Sequence, residues 1–289
     1  MVPLIYSVGI ASVNDENWTI QGNWSFDSSI GPSQGSSEPG AGLVRMADGT
    51  AATFAPAAAF DHLNAYCASD ASTGQLLVAI DGATAGQVCS QTTTAPTAQV
   101  VTSSVLDATT HAVTFTCHGS CLLYAAEGTL GTTGVSVHNI AVGTATAEWF
   151  GLEPSVQLAF SDLIPGGTQL VITDLLTNNL YVGYSINSFS ESMQNIIAHE
   201  EAQNAKVLVV VPPVSDVTGI AEFPEYTQAL LAVAQNNSVP FVNIQSSWGT
   251  AFDPNSGYWS PDGVHPNTLG SSLEYKRIGP TANSLIPAP

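Results

Sequence analysis

The sequence predicts an α/β fold organised on a parallel sheet and interrupted by an all-β sandwich or jelly-roll module. Two observations point to the sheet. Residues 207–211 are wholly apolar, the mark of a strand covered by helices on both faces. After about residue 135, strand-like runs alternate with helical stretches, as in a layered α/β domain. A third observation points to the module. From Trp18 to residue 135 the chain is rich in Gly, Ser, Thr and Ala, and short runs of strand formers are broken by turns.

Residues 3–10 read as a buried strand, followed at once by polar Ser12, Asn14, Asp15 and Glu16. In the β-rich part, residues 75–80 run into an Asp-Gly turn, 111–116 into Cys-His-Gly and 122–126 into Glu-Gly. Further on, 135–142 reads as a strand, 144–152 as the start of a helix and 169–175 as a strand. Residues 190–205 form an amphipathic helical pattern, with Met193, Ile196 and Ile197 on one side. A strand over 206–211, a helix over 223–235 with Pro224 near its start, and a strand over 239–244 complete the alternation. The opening strand suits the parallel sheet better than the sandwich. Residues 1–17 and 136–289 are therefore expected to form one α/β domain, with 18–135 inserted as a β-sandwich. Two sequential domains divided near residue 135 are the alternative.

Composition narrows the partners. Of 289 residues, 44% are hydrophobic, so the chain is globular. Four Lys and Arg stand against 23 Asp and Glu, a formal net charge of −19 that repels nucleic acid and anionic membrane. A low-charge surface rich in Ser, Thr and Asn suits an extracellular, cell-surface or virion-associated protein. No run of 18 apolar residues could span a membrane. The first ten residues lack a basic region and a cleavage site, and read as the first strand of a mature domain. Asn17, Asn23 and Asn236 each open a glycosylation acceptor pattern. The cysteines Cys67, Cys89, Cys117 and Cys121 allow three pairings, of which Cys67–Cys89 with Cys117–Cys121 is favoured. A zinc site using His118 and free thiols are the rivals. The other histidines before residue 200 do not recur at metal-ligand spacings, so no metal site is expected.

Near the C-terminus, Ser-Pro-Asp-Gly-Val-His-Pro-Asn spans Ser260 to Asn267. Its prolines and glycine favour a rigid loop, and it holds Asp262 and His265 three residues apart. That is a compact way to aim an imidazole with its orienting carboxylate. In a parallel sheet the functional loops lie beyond the carboxyl ends of the strands. The predicted strands deliver Ser12, Gly143 and Asn178 to such loops: a hydroxyl, a glycine amide and a side-chain amide. With Asp262 and His265 these are the groups that serine acyl transfer requires. Asp174 and Asp253 are further carboxylates near this region, though spacing singles out neither.

These motifs resemble those of the SGNH hydrolases, or GDSL-type esterases. Asp262-Gly-Val-His265-Pro-Asn, with Gly270, resembles the family's final block, and the resemblance implies that His265 is the base and Asp262 its partner. Thr177-Asn178-Asn179 resembles the block that carries the oxyanion-hole asparagine, with Leu176 and Asn179 replacing a glycine and an aspartate. The strand ahead of Gly143 resembles the block that supplies a glycine amide. The first block departs from the family: where Gly-Asp-Ser is expected the chain has Gly9-Ile10-Ala11, and a shift of one residue brings Ser12 to the nucleophile position.

By this resemblance the fold is a three-layer, flavodoxin-like sheet. The expected activity is a serine esterase without a cofactor, acting on carboxylic esters. O-acetyl groups on carbohydrate are the leading substrate, because some members with an inserted sandwich are glycan deacetylases. A non-catalytic glycan-binding or surface adhesion protein, and a lipid or thioester hydrolase, are the alternatives. Trp18, Trp24, Phe60 and Tyr66 of the insertion could stack on sugar rings, with core packing as the plainer reading.

Overall fold

The computed structural model describes residues 5–9, 18–26, 44–69, 74–89, 97–131, 136–137, 145–151, 167–216 and 220–286. The chain divides into two compact units, Met1–Gly143 with Pro154–Ile164, and Thr144–Glu153 with Pro165–Pro289.

The strands of the first unit are, in chain order, β1 (Ile5–Gly9), β2 (Trp18–Gln21), β3 (Trp24–Phe26), β4 (Val44–Met46), β5 (Ala51–Phe54), β6 (His62–Ser69), β7 (Gln75–Ile80), β8 (Ala83–Val88), β9 (Thr97–Thr102), β10 (Val113–His118), β11 (Cys121–Thr129) and β12 (Ser136–Val137). Among the described residues they form two sheets. One runs β2-β5-β10-β7-β8; the other runs β12-β1-β11-β4-β3, with β6 on β11 and β9 on β6. Alternation puts Ala52 and Phe54 of β5 and Val113, Phe115 and Cys117 of β10 inside, facing Val44, Met46 and Leu123 in one sandwich-like core. Trp18 stacks on Phe115 and lies 5.1 Å from Phe54. Trp18, Phe60 and Tyr66 are all buried, so core packing explains them and sugar stacking does not.

Cys67 pairs with Cys89 and Cys117 with Cys121, at Cα separations of 6.2 and 5.7 Å, both within the span a disulfide bridges. His118 is left outside any metal cluster among the described residues.

The opening strand pairs in two ways. One edge of β1 runs parallel to β12, the strand ahead of Gly143, with Ile5 opposite Ser136. Its other edge runs antiparallel to β11, with Ser7 opposite Glu127. Strand length explains the second pairing. β4 covers only residues 121–123 of β11, which leaves 125–127 open on that edge for β1. β1 thus runs parallel to β12, within the 135–142 strand that the sequence groups it with, and is also joined antiparallel to β11, a pairing the sequence did not lead one to expect.

In the second unit β13 (Leu170–Thr173), β14 (Lys206–Val211) and β15 (Phe241–Asn243) form a parallel sheet with β14 central. The helices are α1 (Ala147–Phe150), α2 (Leu176–Val182), α3 (Ile186–Ala202), α4 (Phe223–Asn236), α5 (Gln245–Trp248) and α6 (Thr268–Leu285). Leu208 and Val210 of β14 pack with Ala282 and Ile278 of α6. α3 and α4 pack on each other and on β14 through faces that bury Phe189, Met193 and Ile197, and Phe223, Leu230 and Val233. Both faces of β14 are thus covered, as its apolar run requires. No helix among the described residues is long and apolar enough to cross a membrane.

One element differs from expectation and one was not anticipated. Residues 177–179 lie inside α2, not in a loop. The segment after Asn267 is a long helix, α6, although Gly270, Gly279 and Pro280 read as helix breakers.

In the sandwich, a buried imidazole ties the β7–β8 turn to the start of β10. His111 Nδ1 lies 2.6 Å from Asp81 Oδ2, Nε2 lies 2.7 Å from the Asp107 carbonyl, and Asp81 Oδ1 accepts from the Ala112 amide. With acceptors at both ring nitrogens, the doubly protonated ring is favoured; Asp81 first and then the Asp107 carbonyl raise its pKa. A raised folded-state pKa means that the stabilisation is complete below the unfolded value and is lost as pH rises through the folded one. Thermal melting across neutral pH should therefore show the wild type losing stability with rising pH, and Asp81→Asn should flatten that slope.

Candidate active site

The Asp262–His265 pair sits in a loop built by the aspartate itself. Asp262 Oδ1 accepts from the backbone amides of Val264 and His265, at 2.8 and 2.9 Å, while Oδ2 lies 2.8 Å from His265 Nδ1. The backbone amide of His265, its imidazole and the Val264 amide, in that order, pull the Asp262 pKa down to about 2. The carboxylate is therefore ionised at any ordinary pH, and its negative charge faces Nδ1. The neutral ring then carries its proton on Nδ1 and presents a lone pair on Nε2, which has no partner among the described residues. The imidazole is 78% exposed, so a substrate could reach it.

The surrounding chain fixes this loop to the parallel sheet. The Asp216 amide, just past the carboxyl end of β14, donates to the Gly263 carbonyl at 2.9 Å. Gly263 has φ +69°, and a Cβ there would fall 2.9 Å from that of Asp216, so glycine is needed both for the turn and for the approach. The Ser260 amide donates to the His265 carbonyl, and Trp259 bridges Pro266. Asn267 closes the structure. Its Oδ1 caps α6 through the Leu269 and Gly270 amides, while its Nδ2 donates to the carbonyls of Gly257 and Trp259. Gly270 is buried against the loop, where a Cβ would sit 2.3 Å from the Tyr258 carbonyl oxygen.

The amide candidate lies on α2. Asn178 Nδ2 donates to the Ala145 carbonyl at 2.9 Å, which commits one of its two hydrogens and leaves the other for a further acceptor. Asn179 was read only as a departure from a family pattern, yet it has the denser network. Wholly buried, it accepts from the Ala147 amide at 2.8 Å and donates to Glu148 Oε2 at 2.6 Å. The structure thus brings Asp262 to His265, and Asn178 to the segment that follows Gly143. Ser12 and Gly143 themselves lie outside the described residues.

Asp174, at the carboxyl end of β13, carries a perturbed carboxyl that spacing did not reveal. Desolvation, helped by the charge of Glu274 on α6, pushes its pKa up toward about 7. The residue is nevertheless exposed to solvent, so screening by water holds the upward shift well short of that value.

Comparison with known proteins places the chain in a family. A model of the GDSL-like lipase/acylhydrolase family matches residues 91–273, more than half of the chain. The chain belongs to that family. No curated protein matches it. Among solved structures, one described as a peptidoglycan O-acetylesterase in action is 16% identical, with TM-score 0.69, and covers 98% of this chain and 83% of its own. A GDSL-like lipase from Bacteroides thetaiotaomicron is 18% identical, with TM-score 0.41, over 50% of this chain and 73% of its own. A family two carbohydrate esterase from Clostridium thermocellum, in complex with cellohexaose, is 13% identical, with TM-score 0.36, over 92% and 98%. The first of these shares the fold of this chain.

Three substitutions at two positions test the loop. Asp262→Ala should release the Val264 and His265 amides to faster hydrogen exchange, whereas Asp262→Asn, which keeps an Oδ1 acceptor, should leave both protected. Gly270→Ala should lower stability by about 1–3 kcal/mol through overpacking, measured by denaturant unfolding.

Proposed function

We propose that this chain is a serine esterase that removes acyl groups, O-acetyl groups above all, from carbohydrate. Membership of an acylhydrolase family sets the reaction class. The observation that carries the assignment is the 2.8 Å contact of Asp262 with His265 Nδ1, in a loop held at the carboxyl end of β14. Residues 1–17 and 136–289 are taken as the hydrolase part, with 18–135 inserted. The similar structure described as a peptidoglycan O-acetylesterase supports an acetylated glycan as substrate. Two disulfides and an acidic surface favour an extracellular, cell-surface or virion setting.

In this reading Ser12 is the nucleophile. His265 Nε2 takes its proton as the hydroxyl oxygen attacks the ester carbonyl, and Asp262 stabilises the imidazolium that forms. The free hydrogen of the Asn178 amide and the Gly143 amide receive the oxyanion. His265 then protonates the leaving alcohol, activates water, and the acyl-enzyme is hydrolysed. These residues need no metal or organic cofactor for such a cycle. Protonation of His265 removes the base, so activity falls on the acid side. One observation favours a second reading, a non-catalytic glycan binder: Ala11 stands where the family register places the serine.

Hydrolysis of p-nitrophenyl acetate and of an O-acetylated glycan separates the readings. Ser12→Ala and His265→Ala should each lower kcat by about four orders of magnitude or more. Asn178→Ala should lower it by roughly 10²–10³. Full activity in Ser12→Ala with loss in His265→Ala would move the nucleophile elsewhere but keep the esterase. An inactive wild type that still binds the glycan would establish the second reading. Falling activity with longer acyl chains would separate a deacetylase from a lipid hydrolase.

A further inference from the structure

We infer that Asn179 and Glu148 form a polarity-matched clamp that positions the oxyanion-hole elements, Asn178 and the chain leaving Gly143. This rests on the esterase reading above. The clamp begins with an uncapped helix. Thr146 is the N-cap of α1 but makes no side-chain capping bond, and the Ala147 amide is satisfied from α2 by Asn179 Oδ1. The other end of the same amide donates to Glu148 Oε2, and Ser188 Oγ on α3 donates to Glu148 Oε1 at 2.9 Å. Asn178 binds the Ala145 carbonyl, and Asn195 Nδ2 binds the Gly151 carbonyl at 3.2 Å. Residues 145–151 are therefore pinned by four residues of α2 and α3, through five hydrogen bonds. Two of those four are adjacent residues, of which Asn178 is the proposed oxyanion donor.

Polarity makes the pair specific. Glu148 is buried, and Asn179 and Ser188 both donate to it. Only a side chain with one acceptor and one donor end can serve both the Ala147 amide and the Glu148 carboxylate. An aspartate at 179, which the resemblance leads one to expect there, would set two carboxyls in hydrogen-bond contact, where both cannot be ionised together. The titratable group facing Glu148 from α4 is Tyr226, whose hydroxyl is engaged by the Tyr184 carbonyl. Its pKa is raised by burial first, then by Glu222 and Glu148. The α1, α2 and α3 sides contribute no cation among these contacts.

The test is a polarity swap in the full chain. Asn179→Asp should lower kcat on p-nitrophenyl acetate roughly tenfold or more, with KM changing little, because the donor is displaced and the binding surface is not. Glu148→Gln with Asn179→Asp restores every donor and acceptor with the charge moved across the pair. It should recover kcat to within about threefold of wild type, a rescue expected of interacting neighbours. The melting temperature of Asn179→Asp should approach that of wild type as pH falls and the two carboxyls come to share a proton. Wild-type kcat in Asn179→Asp, or no rescue in the double variant despite wild-type melting, would overturn the clamp. Failure of the esterase reading would look different: the wild type would be inactive while the pH-dependent melting of Asn179→Asp persisted.

Discussion

The candidate site depends on one carboxylate performing two tasks. Asp262 Oδ1 folds the turn by taking two backbone amides, and Oδ2 aims the imidazole. The tasks reinforce one another. The same amides that shape the loop hold Asp262 ionised, and an ionised Asp262 is what selects the useful tautomer of His265. Depressed pKa values give stability that is present above the unfolded carboxylate range and lost as pH falls through the folded value, here about 2. Because the pair is exposed, its order comes from geometry and not from burial: Gly263 against Asp216, Trp259 against Pro266, and Asn267 joining the loop to α6.

The two units solve similar problems with different chemistry. The sandwich locks an Asp–His pair of its own, but His111 is buried and both of its nitrogens face acceptors, which favours its charged form. A base in that position could not accept a proton from a substrate. His265 has the opposite setting, with one nitrogen committed and the other open to solvent. The contrast separates a buried imidazole with both nitrogens committed from an exposed one with a free nitrogen more sharply than the distances do, since 2.6 and 2.8 Å are nearly equal.

Much of this was legible in the sequence. β14 matches the strand read over 206–211 residue for residue, α4 begins where the pattern and Pro224 placed it, and the Asp-x-x-His loop was visible from its prolines and glycine. These features are local, and local chemistry determines them. α6 was not legible, because Gly270 looks like a breaker until its contact with Tyr258 and Trp248 is known. α2 was misread for a similar reason: Thr177, Asn178 and Asn179 have loop-forming side chains, and long-range bonds to residues 145–148 hold the two asparagines in a helix. The double pairing of β1 was hidden too. It follows from the lengths of β4 and β11, which no pattern within residues 3–10 reports.

Placing Asn178 on a helix has a consequence for how an oxyanion would be met. A side-chain amide on a free loop would lose entropy each time it settled on the developing charge. On α2 its backbone is already fixed, one hydrogen is tied to Ala145, and its neighbour is buried in the Asn179–Glu148–Ser188 network. Such a donor reorganises little when charge appears, which is the condition under which a hydrogen bond contributes most to a transition state. The replacement of an expected aspartate by Asn179 then has a physical rationale. With Glu148 supplying the acidic partner from α1, a second carboxylate at 179 would push apart the two segments that the site requires to be held together.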